Sequence, residues 1–205
     1  EFLDDYTTMA RAALNLHELM GGADYLARAE GWVATLDAHY WDEANGGYFY
    51  TPDDGDALIV RTKTARDQAT PAGNGVMVEV LARLFYLTGK SSYRSRAEAI
   101  VAAFAGEIPG AFAAYATLVN GNELLQEALQ VAIIGQAEAD DSRALRRAVL
   151  DLSLPNRVLS ALEPDASLPP HHPGRGKRAI DGKATAYVCL GAVCSRPITD
   201  PAELR

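Results

Sequence analysis

Two stretches of the chain carry the same residue pattern at a constant offset, and this repeat constrains the fold more than any other feature. Residues 16–34 match residues 84–102, and every matched pair is separated by 68 positions. The shared pattern contains two leucines, a glycine, a tyrosine, an Arg-Ala-Glu triplet and a Val-Ala pair. Such a repeat indicates one structural unit that occurs twice.

Each copy is predicted to be a helical hairpin. In the first copy, apolar residues with helical spacing predict a helix from about Asp5 to Met20, and Gly21-Gly22 ends it. A second helix is predicted from Asp24 to about Tyr40. The stripe of the first helix consists of Met9, Ala12, Ala13, Leu16, Leu19 and Met20.

The second copy predicts the same arrangement further along the chain. Helices are expected over about 76–87 and 91–105, with Gly89 between them. Another helix is expected to follow Pro109 and to end at Asn120-Gly121, because glycine is common just beyond a helix.

The segment between the two repeats has strand and turn signals instead of a helical period. Tyr48-Phe49-Tyr50-Thr51 has high strand propensity, and Leu58-Ile59-Val60-Arg61 is typical of a return strand. Pro52-Asp53-Asp54-Gly55 is a turn signal between them. We therefore predict an inserted β-hairpin at about residues 46–61.

After about residue 124 the pattern changes to that of a β-α-β unit. The apolar run 128–135 is typical of a buried strand, and a helix is predicted over 143–152. A second strand is predicted over 155–159 and a third over 184–190. A strand–helix–strand order usually produces a parallel pair.

Charge and composition exclude several classes of partner. The chain has 19 basic and 27 acidic residues and a net charge of −8, which disfavours binding to nucleic-acid phosphates. No apolar run reaches the ~18 residues of a membrane span, and the first residues carry no signal-peptide pattern. We expect a cytoplasmic protein without nucleic-acid or membrane partners.

The cysteines Cys189 and Cys194 are open to three interpretations: a disulfide, a redox thiol pair or part of a metal site with His171 and His172. Zinc sites usually show two closely spaced ligand pairs, so structural thiols in a reducing compartment are favoured. No metal site is predicted. The chain contains no glycine-rich phosphate-binding motif, so no cofactor is expected either.

Two polar segments contain the candidate functional side chains. Asp42 follows a helix end beside a second acidic residue, and paired carboxylates are typical of acid–base chemistry. An aspartate at a turn also binds local backbone N–H groups, and this interpretation is favoured. Asp67, Thr70 and Asn74 precede a helix, where they either bind substrate hydroxyls or cap the helix.

Three motifs resemble the C-terminal part of the YyaL-like, spermatogenesis-associated family of thioredoxin-domain-containing proteins. Residues 39–49 contain His-Tyr-Trp-Asp-Glu and Gly-Gly-Tyr-Phe, similar to the family's His-Phe-Trp-Asp and Gly-Gly-Phe-Phe. Residues 63–74 contain Asp-Gln-Ala-Thr-Pro-Ala-Gly-Asn, similar to its Asp-Gly-Ala-Thr-Pro-Ser-Gly-Asn. Residues 181–200, with both cysteines, are similar to its terminal segment.

The resemblance implies a six-hairpin (α/α) toroid, similar to those of N-acylglucosamine 2-epimerases and six-hairpin glycosidases. A full toroid needs about twelve helices, or ~200 residues before insertions. This chain is therefore expected to be mainly α: residues 1–124 form part of the toroid, and residues 125–205 form a small α/β appendage packed on it. The lack of an initial methionine fits a piece of a longer chain.

The resemblance also implies a carbohydrate-related function with a sugar pocket at the mouth of the ring. The candidate catalytic residues are Asp42 and Asp67, and the candidate substrate-binding residues are Tyr48, Phe49, Thr70 and Asn74. Asp4, Asp5 and Tyr6 occupy the corresponding start of the first hairpin. The alternative is a non-catalytic scaffold or binding module accompanying a thioredoxin-like domain. The cut edge of the ring is expected to self-associate or to dock on the missing part.

Overall fold

The computed structural model describes residues 1–56, 58–170 and 172–204, so His171, considered above as a metal ligand, lies outside the described residues. The chain divides into two compact units. The first comprises Glu1–His17, Gly22–Phe85 and Lys90–Gln126. The second comprises Glu18–Gly21, Tyr86–Gly89 and Glu127–Arg205.

Helices dominate the described residues, which confirms a mainly α fold with a small β element. The α-helices are α1 (Leu3–Met20), α2 (Ala23–His39), α3 (Gly73–Thr88), α4 (Ser91–Phe104), α5 (Ala116–Glu127) and α6 (Asp140–Leu150). Each sequence repeat is thus a helix pair, α1 with α2 and α3 with α4. Within the described ranges no helix is long and apolar enough to cross a membrane.

The buried helix of the first unit is α3. Eleven of its residues between Gly73 and Leu84 are buried, as expected for a helix that is apolar around most of its circumference. It begins three residues before the predicted start at Val76. The reason is that Gly73, Asn74 and Gly75 are buried as its first turn and do not form a loop in front of it.

Helix α5 continues through Gly121, where the sequence predicts its end. A Cβ atom on Gly121 would lie 2.9 Å from the backbone nitrogen of Glu79 and 3.1 Å from the side chain of Val78, both on α3. Glycine therefore allows the two helices to approach closely. The predicted helix stop is wrong because this glycine is a packing residue.

The segment predicted as a β-hairpin, residues 46–61, is irregular, so that prediction is wrong. Among its described residues, Tyr48 forms an isolated antiparallel bridge with Trp41, and no strand is present. Residues 58–60 are exposed. The predicted return strand consequently has no buried apolar face to hold it against a partner strand.

The apolar stripe predicted on α1 is not its buried face. Of the six stripe residues only Ala13 is buried, and the helix buries Leu3, Ala10 and Leu14 instead, whereas Met9, Leu16 and Leu19 are exposed. A row of exposed apolar side chains on one helix is typical of an interaction surface. Self-association or docking through this row stays a prediction, which light scattering at increasing protein concentration tests.

A four-stranded mixed sheet organises the second unit. Its strands are β1 (Leu129–Ile134), β2 (Arg157–Leu162), β3 (Thr185–Leu190) and β4 (Val193–Cys194), in the order β2-β1-β3-β4. The strands β1 and β2 are parallel, so the predicted β-α-β unit is present with α6 as its helix. Its core includes Val131, Ile133, Leu145, Val149 and Leu159.

Cys189 and Cys194 form a disulfide bond, so the expectation of unbonded structural thiols is wrong. The two residues are directly opposite in the antiparallel register of β3 and β4, with their Cα atoms 4.0 Å apart. Only two residues separate the strands, and such a tight turn places opposite side chains close together. The sequence spacing alone does not distinguish this arrangement from a thiol pair.

Candidate functional site

A polar pocket of about 370 Å³ lies in the first unit at the starts of α1 and α3. Helix α1 contributes Leu3 and Asp4, and α3 contributes Gly73 and Asn74. The segment that connects α2 to α3 contributes Tyr48, Tyr50, Thr62, Thr64, Arg66, Gln68, Thr70 and Ala72. Three of the four predicted binding residues, Tyr48, Thr70 and Asn74, therefore line one cavity.

Asp4 brings a carboxylate to this polar pocket. The backbone N–H of Gly73 donates a hydrogen bond to it, and a Cβ atom on Gly73 would lie only 2.5 Å from its Oδ1. Glycine at this position thus makes room for the carboxylate. Burial raises the pKa of Asp4, the Gly73 hydrogen bond opposes that rise, and the charge of Asp5 adds to it. A partly desolvated carboxylate is well suited to hydrogen-bond a ligand.

Asn74 is fully buried and fixes the wall of the polar pocket. Its Oδ1 accepts the N–H of Tyr48 at 2.7 Å, and its Nδ2 donates to the carbonyl oxygens of Tyr48 and Thr64, each at 2.9 Å. The hydroxyl of Tyr48 donates to Asp37 at 2.6 Å. These hydrogen bonds give Asn74 and Tyr48 a structural role: they hold the backbone that positions the exposed residues of the pocket.

Asp42 binds local backbone N–H groups in a turn, which is the interpretation that the sequence favours. Its Oδ1 accepts the N–H groups of Ala44 and Asn45 at 3.0 and 3.1 Å, and its Oδ2 accepts Lys63 Nζ at 2.7 Å. The Lys63 contact is the main cause that lowers the pKa of Asp42 to about 2. The contacts favour a structural role, and its catalytic role stays a prediction.

This low pKa predicts a specific loss of stability in acid. The carboxyl group of Asp42 has a pKa of about 2 in the folded protein and about 3.9 in an unfolded chain. Its stabilising contribution is present above the unfolded value and is lost as the pH falls from about 4 towards 2. Urea unfolding between pH 2 and pH 5 measures this loss. The slope should be shallower in Lys63→Met, and parallel profiles for the two proteins would contradict the assignment.

Asp67 joins the starts of two helices. Its Oδ1 accepts the N–H of Ala72, next to α3, at 2.9 Å, and its Oδ2 accepts the N–H of Thr117, in the first turn of α5, at 2.9 Å. The backbone N–H of Asp67 donates to the carbonyl oxygen of Ala114 at 2.7 Å. Backbone donors therefore engage both carboxylate oxygens, which favours the helix-capping alternative. A catalytic role for Asp67 stays a prediction.

The aromatic face of the polar pocket comes from Tyr50, which sequence reasoning missed as a binding residue. The Tyr50 ring stacks on Phe2 with ring centroids 5.0 Å apart. Phe49, the predicted aromatic contact, lies instead beneath Arg61, whose guanidinium carbon is 4.4 Å from its ring centroid. Neighbouring side chains in an extended segment point in opposite directions, so the local backbone decides which of the two rings lines the cavity.

A larger concavity of about 690 Å³ lies between α2 and α4. Asp37 on its wall accepts the Tyr48 hydroxyl and pairs with Arg96 at 3.4 Å. Arg96 also lies over the Trp41 ring, 4.1 Å from its centroid. Because these charged groups are matched within the protein, we take the smaller polar pocket as the candidate site.

The fold and the polar pocket together define the structural class of the protein. It is a mainly α protein built from helix pairs, with a polar cavity where two of its helices begin. The whole chain is similar to Spermatogenesis-associated protein 20 of Homo sapiens, at 34% identity over 209 residues. The protein of the same name in Rattus norvegicus is 32% identical over 209 residues. These matches confirm the predicted resemblance to the YyaL-like, spermatogenesis-associated family.

The chain spans about a quarter of the length of these relatives, 27% of the human protein and 26% of the rat protein. An uncharacterised protein of Caenorhabditis elegans is 23% identical over 206 residues, which cover 99% of this chain and 28% of that protein. No family model matches the chain. The names of these relatives state no reaction, so the function must be argued from the site.

Proposed function

We propose that the polar pocket binds a small polyhydroxylated molecule of the carbohydrate class. The observation that carries the proposal is the lining of one cavity of about 370 Å³, which combines the Asp4 carboxylate, the Arg66 guanidinium and the Tyr50 ring. A cavity of this size accommodates a small-molecule ligand. This proposal keeps the sugar pocket that the family resemblance implies and changes the residues that form it.

The lining supplies the hydrogen-bonding groups that a sugar requires. Each sugar hydroxyl both donates and accepts, so it pairs with a carboxylate acceptor such as Asp4 and with a guanidinium donor such as Arg66. Thr62, Thr64 and Thr70 add hydroxyls that serve in either role. The Tyr50 ring offers an apolar surface for the C–H face of the sugar.

The proposal is for binding and not for glycoside hydrolysis. Hydrolysis usually requires two carboxyl groups on opposite sides of the scissile bond, and Asp4 is the carboxylate among the described lining residues. The contacts of Asp42 and Asp67 hold the surrounding loops together. A scaffold without a ligand, the second candidate, would need those same contacts, so a binding experiment must separate the two functions.

Replacing Asp4 by asparagine is expected to weaken sugar binding roughly 10- to 100-fold, because a hydrogen bond to a charged group contributes about 1.5–3 kcal/mol. Asparagine keeps an oxygen that accepts the Gly73 N–H, so the fold should survive. The measurement is calorimetric titration with glucose, galactose, mannose and N-acetylglucosamine, preceded by a thermal-shift screen.

Asp5→Asn is the matched control, because Asp5 is the adjacent carboxylate and is absent from the described lining of the pocket. It should bind the same sugars as the natural sequence within about twofold, a difference of roughly 0.4 kcal/mol. Equal losses in both variants would indicate a general effect of charge. If none of the four sugars binds the natural sequence at millimolar concentration, the scaffold function is favoured.

A further inference from the structure

We propose that His39, Asp53 and Asp54 form a binding site for a divalent transition-metal ion such as Zn²⁺. His39 is the last residue of α2, and the two aspartates lie in the turn that follows Pro52. His39 Nδ1 is 3.1 Å from Asp53 Oδ1 and 3.5 Å from Asp54 Oδ2. Each residue offers one ligand atom, and these three atoms all lie within 4.8 Å of one another.

The spacing of these atoms fits a metal ion between them. Zinc binds imidazole nitrogen and carboxylate oxygen at about 2.0–2.2 Å, so two ligand atoms on a tetrahedral zinc are roughly 3.3–3.6 Å apart. The two separations from Nδ1, 3.1 and 3.5 Å, are close to that range. Small rotations of the aspartate side chains would bring their two carboxylate oxygens to the same separation. Water would take the fourth coordination position of the zinc ion. One imidazole with two carboxylates suits zinc better than magnesium, which prefers an all-oxygen shell.

Backbone contacts hold the turn against the end of α2 without any ion, and a hydrogen bond of 3.1 Å joins His39 Nδ1 to Asp53 Oδ1. The N–H of Asp53 donates to the carbonyl oxygen of His39 at 3.0 Å, which fixes the turn against the end of α2. Arg61 donates to that same carbonyl at 2.9 Å and to the carbonyl of Thr51 at 2.7 Å. A metal ion would therefore lose little free energy to ordering the loop backbone, and it would replace the hydrogen bond between His39 and Asp53.

The electrostatic setting also favours a cation. The carboxyl end of a helix carries partial negative charge, and His39 lies at that end of α2. The positive charge of Arg61 opposes the cation, but its guanidinium is engaged by two carbonyl oxygens and by the Phe49 ring. The candidate sugar pocket uses none of the three proposed ligands.

Calorimetric titration with ZnCl₂ after EDTA treatment and dialysis tests this site. The natural sequence should bind one Zn²⁺ per chain. Binding should be at least tenfold weaker in Asp53→Asn/Asp54→Asn and in His39→Gln. Asp56→Asn is the matched control and should bind Zn²⁺ as the natural sequence does. Because asparagine keeps the backbone contacts of the turn, circular dichroism should show the double variant to be folded.

Two results would overturn the proposal. The first is the absence of Zn²⁺-dependent heat from the folded natural sequence. The second is an equal Zn²⁺ affinity for the natural sequence and the folded double variant, which would place the ion elsewhere. MgCl₂ should give at least tenfold weaker binding than ZnCl₂. Equal affinity for the two ions would contradict a role for the imidazole.

Discussion

Asn74→Ala is expected to destabilise the first unit by about 4 kcal/mol, the largest effect of a single substitution that we predict. The Asn74 side chain makes three hydrogen bonds to the backbone of Tyr48 and Thr64, and it is fully buried. Alanine would leave one N–H and two carbonyl groups without this partner. An unsatisfied buried polar group costs about 1–3 kcal/mol, and local rearrangement recovers part of the sum.

Urea unfolding, monitored by tryptophan fluorescence, measures this loss of stability in the first unit of the chain. Both tryptophans, Trp32 and Trp41, belong to the first unit. Asn120→Ala is the matched control, because Asn120 is exposed on α5, and it should change the free energy of unfolding by less than about 0.5 kcal/mol. If the free energy of unfolding of Asn74→Ala lies within about 1 kcal/mol of that of the natural sequence, Asn74 does not hold the pocket backbone as described above.

Lys63→Met is expected to cost roughly 2–4 kcal/mol at neutral pH. Lys63 Nζ lies 2.7 Å from Asp42 Oδ2, and the two side chains are only 17% and 9% exposed. Methionine has a similar length but no charge, so the Asp42 carboxylate would stay buried without its counter-ion. Breaking a fully buried pair from one side costs about 3–5 kcal/mol, and the remaining exposure of Lys63 reduces that figure.

Lys90→Met is the matched control, which separates the cost of breaking the Lys63–Asp42 pair from the cost of removing any lysine charge. Lys90 pairs with Glu30 at 2.6 Å, but its side chain is 57% exposed, and exposed pairs contribute at most about 1 kcal/mol. The same fluorescence-detected urea titration applies, since both lysines belong to the first unit. If the two variants lose equal stability, Lys63 and Asp42 do not form the buried pair described above.

The local parts of the fold could be predicted from the sequence. The repeat and the apolar periodicity predict the pairs α1–α2 and α3–α4, and the strand–helix–strand pattern predicts the parallel strands β1 and β2. The errors occur where a long-range contact overrides a local signal. Gly121 has the sequence of a helix stop, but α3 packs against it. Residues 46–61 have strand propensity, but residues 58–60 of the return segment are exposed and lack the buried face that a strand requires.

The candidate site shows the same division. The turn role of Asp42 is visible in the sequence because its partners Ala44 and Asn45 are adjacent. The bridge from Asp67 to Thr117 is not visible, since 50 positions separate them. The pairing of Asp4 with Gly73 likewise depends on how α1 meets α3. The sequence therefore indicates the polar segments that line the pocket. The tertiary structure decides which of their side chains face the cavity and which ones hydrogen-bond to the surrounding backbone.

Nuclear magnetic resonance of the ¹⁵N-labelled chain during a sugar titration shows whether the polar pocket binds a carbohydrate. We expect saturable chemical-shift changes concentrated on the backbone amides of Thr62, Thr64 and Thr70, with much weaker saturation in Asp4→Asn. Saturable changes confined to residues outside the pocket would contradict the account. So would the absence of saturable changes with glucose, galactose, mannose and N-acetylglucosamine alike.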